Sequence, residues 1–384
     1  MKVTCLREEL YKTLGVLRGV QVGPMVSHTL ITADENGLTL AVAGLELYAR
    51  RQIEAKVEES EGEVAVPTKY LYEIVKSAPG DVITLEAEAE DLLNIRSTGY
   101  RATLRGFPDV YPNPRMPVTE DAESVGVNAE AFRAMLNRVI FAVSDRHLVL
   151  GNVFVQFEGN TVALAASDGV RLAYCSANGD PSPSARAILV PLSAMKLLKS
   201  VLALDGAESL AIVYATRQTS TSGVQGMSET EYVRFVTGQT TVVANLYSAE
   251  YPDFRKVIPD PQKRTVRAEV STKTLLRACR RVRAIRGTGV FVHPVEDGVE
   301  LKARGESEDL LNAPPSFTSK VEGTVEGKAP PILVNVRYLI EALSAIGSPD
   351  VVVELFPPRQ PMVIRPADDD GLNYVYVVMP MVAS

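Results

Sequence analysis

The sequence predicts an α+β protein made of three similar domains, each with two helices packed on antiparallel sheet. Three kinds of segment recur in the same order along the chain. Equivalent positions lie roughly 120 to 145 residues apart, a spacing that suits whole domains rather than a solenoid. The chain has 384 residues, of which 46% are hydrophobic, so it can bury more than one core.

The first recurring segment is a short strand that leads into an amphipathic helix. Its copies are KVTCLREELYKTLGVL from Lys2, SVGVNAEAFRAMLNRV from Ser124 and RAEVSTKTLLRACRRV from Arg267. Apolar residues recur one helical turn apart in each copy, which predicts one buried helix face. The equivalent apolar positions are Leu10, Phe132 and Leu275, followed by Leu14, Leu136 and Cys279.

The second recurring segment alternates apolar and polar residues after a turn. Its copies begin at Gly37, Asn160 and Gly298, with the sequences GLTLAVAGLELYARRQIEA, NTVALAASDGVRLAYCSA and GVELKARGESEDLLNA. This alternation predicts half-buried strands of an antiparallel sheet.

The third recurring segment is a strand that ends in a helix. Its copies are EVAVPTKYLYEIVKSAPGD from Glu63, AILVPLSAMKLLKSVLALDG from Ala187 and PILVNVRYLIEALSAIGSPD from Pro331. Pro67 and Pro191 are expected just before or within the first helical turn, where a missing N–H costs nothing. Further strand patterns follow each copy and complete the domain.

The domain boundaries are predicted in segments rich in proline and charge. We expect domains over 1–118, 119–256 and 257–384, with linkers after Phe107 and after Asp253. A polar stretch over Thr216–Glu231 is typical of a hairpin tip or an inserted loop, and it carries no recognisable chemistry.

The composition excludes several classes of protein. No segment approaches the roughly 18 to 20 apolar residues that span a bilayer, and the charged beginning of the chain lacks an export core, so we expect a cytoplasmic protein with no membrane partner. Cys5, Cys175 and Cys279 lie among apolar residues and are expected to be reduced and buried. The three histidines show no metal-ligand spacing, and we predict no metal and no cofactor.

Positive charge is concentrated on the polar faces of the six predicted helices. The net charge is −7, which by itself argues against a generally basic surface that binds nucleic acid. Cations that solvate each helix separately are one explanation; helices that line a shared DNA-facing surface are the other. No recognition motif or stacking platform accompanies them, so base-specific readout is not predicted. The candidate DNA-contacting residues are Lys12, Lys69, Lys76, Arg133, Arg138, Lys196, Lys199, Lys273, Arg277, Arg280 and Arg281.

Three short motifs carry a family resemblance. They are AASDGVRLA from Ala165, YPDFRKVIP from Tyr251 and YVVMPM from Tyr376. With them the whole chain resembles the bacterial DNA polymerase III beta subunit, the sliding clamp family. The resemblance implies a clamp fold without catalysis, in which a head-to-tail homodimer closes six domains into a ring around double-stranded DNA. It also implies that polymerase subunits and the clamp loader bind through short linear motifs.

The resemblance implies an apolar peptide groove between the second and third domains. A terminal strand alone would explain Val375 and Val377, but not a methionine pair around a proline. Methionine suits such a groove because its flexible thioether adapts to several partners. The groove residues carried over are Leu150, Ser167, Gly169, Val170, Arg171, Leu172, Pro252, Val257, Val377, Val378, Met379, Pro380 and Met381.

The chain departs from the family pattern at several places. It ends in Val382-Ala383-Ser384 where relatives have a basic and a large apolar residue, so partner preference is open. The loop GVQVGPMVSH lacks an arginine that relatives often place there for DNA, and Arg18 is a weak substitute. Ala284 and Ile285 are the candidate contacts between the third domain and the first domain of the next subunit.

Two rival functions remain at the level of sequence. An enzyme would need a nucleotide loop, a nucleophile elbow or a histidine pattern, and the sequence has none of them. Asp168 and Arg171 are more simply read as a structural pair that shapes a turn. A clamp-like scaffold that binds peptides without encircling DNA is the second rival, and its oligomeric state would distinguish it from a ring.

Overall fold

The computed structural model describes residues 1–20, 26–87, 91–107, 120–182, 184–220, 227–305, 315–368 and 370–381. Several sequence expectations concern residues outside these ranges. They are the linker and boundary near 118, part of the loop GVQVGPMVSH, the middle of the polar stretch over Thr216–Glu231, and the end Val382-Ala383-Ser384.

The first third of the chain has nine strands and two helices among the described residues. The strands are β1 Lys2–Leu6, β2 His28–Asp34, β3 Gly37–Ala43, β4 Leu47–Ile53, β5 Ala55–Glu59, β6 Glu63–Pro67, β7 Val82–Ala87, β8 Leu92–Ser97 and β9 Tyr100–Arg105. The helices are α1 Arg7–Leu17 and α2 Thr68–Ser77. Pro67 is the N-cap of α2, as predicted.

The middle third repeats this order. Its strands are β10 Glu120–Asn128, β11 Asn152–Glu158, β12 Thr161–Ser167, β13 Arg171–Asn178, β14 Arg186–Pro191, β15 Ser209–Ser220, β16 Met227–Thr237 and β17 Thr240–Asn245. Its helices are α3 Ala129–Val139 and α4 Leu192–Asp205, and Pro191 is the N-cap of α4. Short 3-10 helices follow at Ile140–Ala142, Phe254–Val257 and Pro261–Lys263.

The last third contains the same elements again. Its strands are β18 Val266–Ser271, β19 Gly289–Val295, β20 Gly298–Arg304, β21 Ser316–Gly327, β22 Ile332–Asn335, β23 Asp350–Leu355, β24 Met362–Pro366 and β25 Asn373–Val378. Its helices are α5 Thr272–Ala284 and α6 Val336–Ala345. The described residues therefore form the six helices that the three repeats predict.

The chain forms two compact units, each made from two stretches of sequence. The first unit comprises 1–133 and 179–247, and the second comprises 134–178 and 248–384. The first unit has one sheet in the order β5-β1-β7-β8-β9 and another in the order β10-β15-β16-β17-β4-β3-β2-β6. In the second unit eleven strands run in the order β11-β12-β13-β25-β24-β23-β18-β21-β20-β19-β22.

Each unit contains a strand pair that joins consecutive repeats. In the first unit β4 pairs antiparallel with β17, and Leu47 lies opposite Ala244. In the second unit β13 pairs antiparallel with β25, and Leu172 lies opposite Val377. Sheets that continue across repeats explain why the compact units do not follow the sequence repeats. The boundaries near 118 and 256 stay a prediction.

The helices bury the apolar stripes that their spacing predicts. Leu10 and Leu14 of α1 are buried in the first unit, where α1 contacts α2, and Leu275 and Val282 of α5 are buried in the second, where α5 contacts α6. Fully burying one such side chain contributes about 1.5–3 kcal/mol, so several buried side chains together offset part of the entropy cost of ordering the helix. The cysteines belong to this buried interior, and burial raises the pKa of the Cys5, Cys175 and Cys279 thiols to about 12.

Candidate functional site: an apolar groove and cationic helices

An apolar groove of about 300 Å³ lies in the second unit at the pairing of β13 with β25. One wall is the turn before β13, and the opposite wall is the segment around the 3-10 helix Phe254–Val257. Val170, Val257 and Met379 keep 44%, 49% and 39% of their surfaces exposed, so the groove has apolar area free for a partner. The lining residues are Leu150, Ser167, Gly169, Val170, Arg171, Leu172, Tyr251, Pro252, Asp253, Phe254, Val257, Val377 and Met379.

The turn over 167–171 is shaped by its own side chains. The Asp168 carboxylate accepts the N–H groups of Val170 at 3.0 Å and of Arg171 at 3.1 Å. The Ser167 hydroxyl accepts the Gly169 N–H and donates to the Arg171 carbonyl. Gly169 has a φ of +90°, which a residue with a Cβ rarely adopts. The turn thereby holds Val170 outward, and the expected Asp168–Arg171 pair is confirmed at 2.9 Å.

Arg171 is a lining residue of the groove, and its side chain is buried. Its guanidinium donates to Asp168, to the Phe141 carbonyl at 2.7 Å and to Glu341, and it stacks 4.3 Å from the Tyr338 ring. Burial would lower the pKa of Arg171, but the hydrogen bond to Glu341 keeps that pKa above its ordinary value. Burial would raise the pKa of Glu341, but its hydrogen bonds from arginines hold that pKa below the ordinary value. The pair is therefore charged at neutral pH and weakens only as pH falls through the lowered pKa of Glu341.

An aromatic cluster supports the second wall. The Phe254 ring lies 5.3 Å from Phe154, 5.8 Å from Tyr174 and 6.2 Å from Tyr251. Tyr251, Asp253 and Phe254 line the groove, although only Pro252 and Val257 of this segment were predicted from the sequence. The signal for them was available, because an aromatic pair three residues apart around a proline is typical of a short helical turn with a buried face.

The predicted residues at the end of β25 divide between two cavities. Met379 lines the groove and also a neighbouring cavity of about 610 Å³, which Pro380 and Met381 line without reaching the groove. Val378 lines neither of these cavities and is fully buried, so its expected place in the groove is corrected. The reason is strand alternation: successive side chains point to opposite faces, and Val377 is the one directed to the groove.

The predicted cations fall into two groups. Four have carboxylate partners: Lys12 with Glu8, Lys76 with Glu73, Arg133 with Glu130 and Arg138 with Asp370. The other seven take part in none of the ion pairs found among the described residues: Lys69, Lys196, Lys199, Lys273, Arg277, Arg280 and Arg281. Four of these seven lie exposed on α5, which also exposes Arg283, a cation that the sequence reasoning did not single out.

Arg138 is the one cation whose expected role is corrected. Its side chain is only 5% exposed, and its guanidinium is paired with Asp370. A cation held in this way cannot reach a phosphate without breaking a buried pair, which costs several kcal/mol. Arg138 is therefore a structural residue of the second unit.

The residues expected at a subunit contact lie at the end of α5. Ala284 is exposed and Ile285 is half-buried. The backbone at Ile285 lies against Gly305, whose N–H donates to the Pro315 carbonyl immediately before β21. The described residues contain no helix long and apolar enough to cross a membrane.

Comparison with known proteins assigns the chain to a family. Repeated helix-on-sheet domains, exposed cationic helices and an apolar groove are together the features of a DNA clamp. Three models of the DNA polymerase III beta subunit match in succession, the N-terminal domain over 1–113, the central domain over 126–253 and the C-terminal domain over 255–382. The chain belongs to the DNA polymerase III beta subunit family, the beta sliding clamps.

Individual relatives resemble the chain along its whole length. The beta sliding clamp of Pseudomonas aeruginosa is 27% identical over 394 residues, covering 99% of this chain and 100% of the relative. That of Synechococcus elongatus is 27% identical over 400 residues, covering 99% of each. The crystal structure of the DNA polymerase III beta subunit from Thermotoga maritima matches the fold with a TM-score of 0.82, at 23% identity and full coverage of both chains.

Proposed function

We propose that the protein is a processivity factor that closes as a head-to-tail homodimer around double-stranded DNA and tethers polymerase subunits and the clamp loader through its groove. The observation that carries this proposal is the succession of three beta-subunit domains over nearly the whole chain. We place the domains at 1–118, 119–256 and 257–384. The function is that of an accessory factor without a catalytic site of its own, acting in the cytoplasm where bacterial DNA is replicated.

The DNA-facing surface is proposed to consist of the seven cations that take part in no ion pair among the residues that the structure describes. They give an acidic chain positive charge on each of α2, α4 and α5, and this charge attracts phosphates of any sequence. Each exposed contact is weak and screened by salt, which permits sliding once the ring is closed. Lys12, Lys76 and Arg133 already have carboxylate partners and contribute less.

The dimer is proposed to repeat a pairing that each chain makes twice within itself. The last strand of the second repeat, β17, pairs with β4, and the last strand of the third repeat, β25, pairs with β13. The last strand of the first repeat, β9, is a sheet edge among the described strands. In β21, residues 316–322 pair only with β20 among the described strands. Pairing of β9 with β21 of a second chain closes a ring by the same rule.

The subunit contact predicted from the sequence lies next to residues 316–322 of β21, the part of that strand that pairs only with β20 among the described strands. Ile285 is close to Gly305, which is hydrogen bonded to Pro315 directly before β21. We therefore keep Ala284 and Ile285 as proposed interface residues. Apolar contact beside a strand pairing would add to the backbone hydrogen bonds of the new sheet.

The groove is proposed as the partner site because several exposed apolar side chains line the same cavity. A short peptide can insert apolar side chains against Leu150, Leu172 and Val377, with Val170, Val257 and Met379 at the rim. The neighbouring cavity with Pro380 and Met381 extends this surface.

The decisive experiment is retention on DNA of defined topology. The purified protein is loaded on nicked circular DNA by its cognate loader, and the bound fraction is measured before and after the DNA is linearised. A closed ring stays on circles and leaves through free ends within minutes. Equal retention on both forms, or none on either, would indicate ordinary binding or a peptide-binding scaffold and would overturn the proposal.

A further inference from the structure

A series of ion pairs connects the groove to α6, a helix that does not line the groove. Glu341 lies on α6, and one carboxylate oxygen accepts from Arg171 while the other accepts from Arg337 at 2.8 Å. Arg171 in turn bonds the Asp168 carboxylate at 2.9 Å, and that carboxylate holds the N–H of Val170 at the groove rim. The position of the rim therefore depends on a carboxylate outside the groove.

The guanidinium of Arg171 has no freedom left for a ligand. Its side chain is 3% exposed, and it also donates to the Phe141 carbonyl and stacks on the Tyr338 ring. Contacts of this kind fix one rotamer, and a site held by fixed rotamers keeps its shape before a partner arrives. Glu341 supplies the negative charge that makes burial of this arginine tolerable.

The repeat provides an internal comparison. Leu47 and Leu172 are equivalent because each lies opposite the penultimate residue of a partner strand, so Glu46 stands where Arg171 stands. Leu197 is equivalent to Glu341, because each is the sixth residue of its helix, α4 or α6. Gly19 is equivalent to Phe141, because each lies five residues after an equivalent leucine, Leu14 or Leu136.

No equivalent ionic chain forms at the pairing of β4 with β17. Gly19, Glu46 and Leu197 line an open cleft there. That pairing is braced at another place, where Arg51 of β4 contacts Asp205 at the end of α4 and donates to Thr240 of β17. Joining two repeats therefore does not require the Asp168–Arg171–Glu341 chain, which occurs at the pairing that carries the groove.

We infer that Glu341 is a positioning residue for peptide binding, which acts through Arg171 and Asp168 to hold Val170 and Leu172 where a bound peptide needs them. The inference rests on the proposed function of the groove. In this inference the buried Arg171 side chain orients the groove and does not bind the peptide directly.

The test is the isosteric substitution Glu341→Gln in the full-length protein. Affinity is measured by fluorescence anisotropy with a labelled peptide from the clamp-binding segment of the cognate replicative polymerase, at a temperature where circular dichroism shows the variant folded. The amide opposes one of the two arginines with N–H donors, so we expect binding to weaken about tenfold, or about 1.4 kcal/mol. The matched control Arg337→Gln removes only the exposed partner of Glu341, and its effect should stay below about threefold.

Hydrogen exchange distinguishes positioning from general stability. We expect faster exchange at the Val170 and Arg171 amides of Glu341→Gln while α6 and β23 stay protected. The inference would be overturned if Glu341→Gln bound the peptide with unchanged affinity, whether or not exchange became faster throughout the second unit. It would also be overturned if Arg337→Gln lost as much affinity as Glu341→Gln. If the unsubstituted protein fails to bind the peptide, the groove proposal itself is wrong and the inference falls with it.

Discussion

At the scale of single residues, the groove is distinguished by apolar side chains that remain exposed beside a rigid frame. Val257 keeps 49% of its surface exposed, although it lies on a 3-10 helix whose Phe254 is buried. Exposed apolar residues are common on protein surfaces, but several that converge on one cavity indicate a partner site.

Replacing Val257 with glutamate tests this site directly. The carboxylate would have to be buried against apolar side chains when a peptide binds, so we expect affinity to fall at least about tenfold with the thermal midpoint unchanged. The matched control is Val26→Glu, which alters a valine that is 57% exposed and lies outside the groove. Peptide binding by Val257→Glu with unchanged affinity would place the partner site elsewhere.

At the scale of elements, the six helices differ in how far their positive charge is neutralised. On α1, Lys12 is bonded to Glu8 one turn away, whereas α5 exposes five cations with no carboxylate among the ion pairs of the described residues. Burial of Leu275, Cys279 and Val282 on the opposite face of α5 directs these cations outward. We expect α5 to provide the largest share of the attraction to DNA.

This expectation is tested by changing Lys273, Arg277, Arg280 and Arg281 together to glutamine. Binding of the unloaded protein to a short duplex is measured over a range of salt concentrations at low ionic strength. Losing phosphate contacts should weaken binding and reduce the magnitude of the salt slope by up to about 0.9 per lost contact. The control Lys12→Gln with Lys76→Gln removes cations that already have partners, and a slope change as large in this control would refute the central role of α5.

At the scale of the whole molecule, the last strand of one repeat pairs with a strand of the preceding repeat twice within the chain, as β17 with β4 and β25 with β13. The same kind of pairing is available to β9 between two chains. β9 is an edge strand within the part of the chain that the structure describes, and exposed edges are templates for pairing with another chain. A head-to-tail contact that repeats an internal pairing closes into a ring when its rotation matches.

Proline substitutions in β9 test the dimer. Successive N–H groups of a strand point to opposite sides, so only one of Ala102→Pro and Thr103→Pro removes an outward donor. That variant should shift the mass in solution from twice 41.6 kDa to 41.6 kDa at a nearly unchanged thermal midpoint. The other variant should mainly lower the midpoint by disturbing the pairing with β8. A dimer that survives both substitutions while folded would exclude this interface.

Local sequence patterns predicted most of the secondary structure. The apolar spacing of Leu275, Cys279 and Val282 predicted α5, and Pro67 and Pro191 predicted where α2 and α4 begin, because helix periodicity and proline geometry depend only on nearby residues. The turn at Asp168 and Arg171 was predictable for the same reason. The spacing of Tyr251 and Phe254 indicates a short turn with a buried face, but only the tertiary structure decides that this turn forms a wall of the groove.

By itself, the sequence determined the three α+β repeats and their six helices, whereas the groove residues were implied by the family resemblance. Only the tertiary structure decided that β4 pairs with β17 and β13 with β25, that Arg138 is buried against Asp370, and that the buried Arg171 side chain pairs with Glu341. These outcomes depend on contacts between residues more than 100 positions apart. Local propensity does not encode such contacts, because burial and charge pairing are decided only when distant segments compete for the same space.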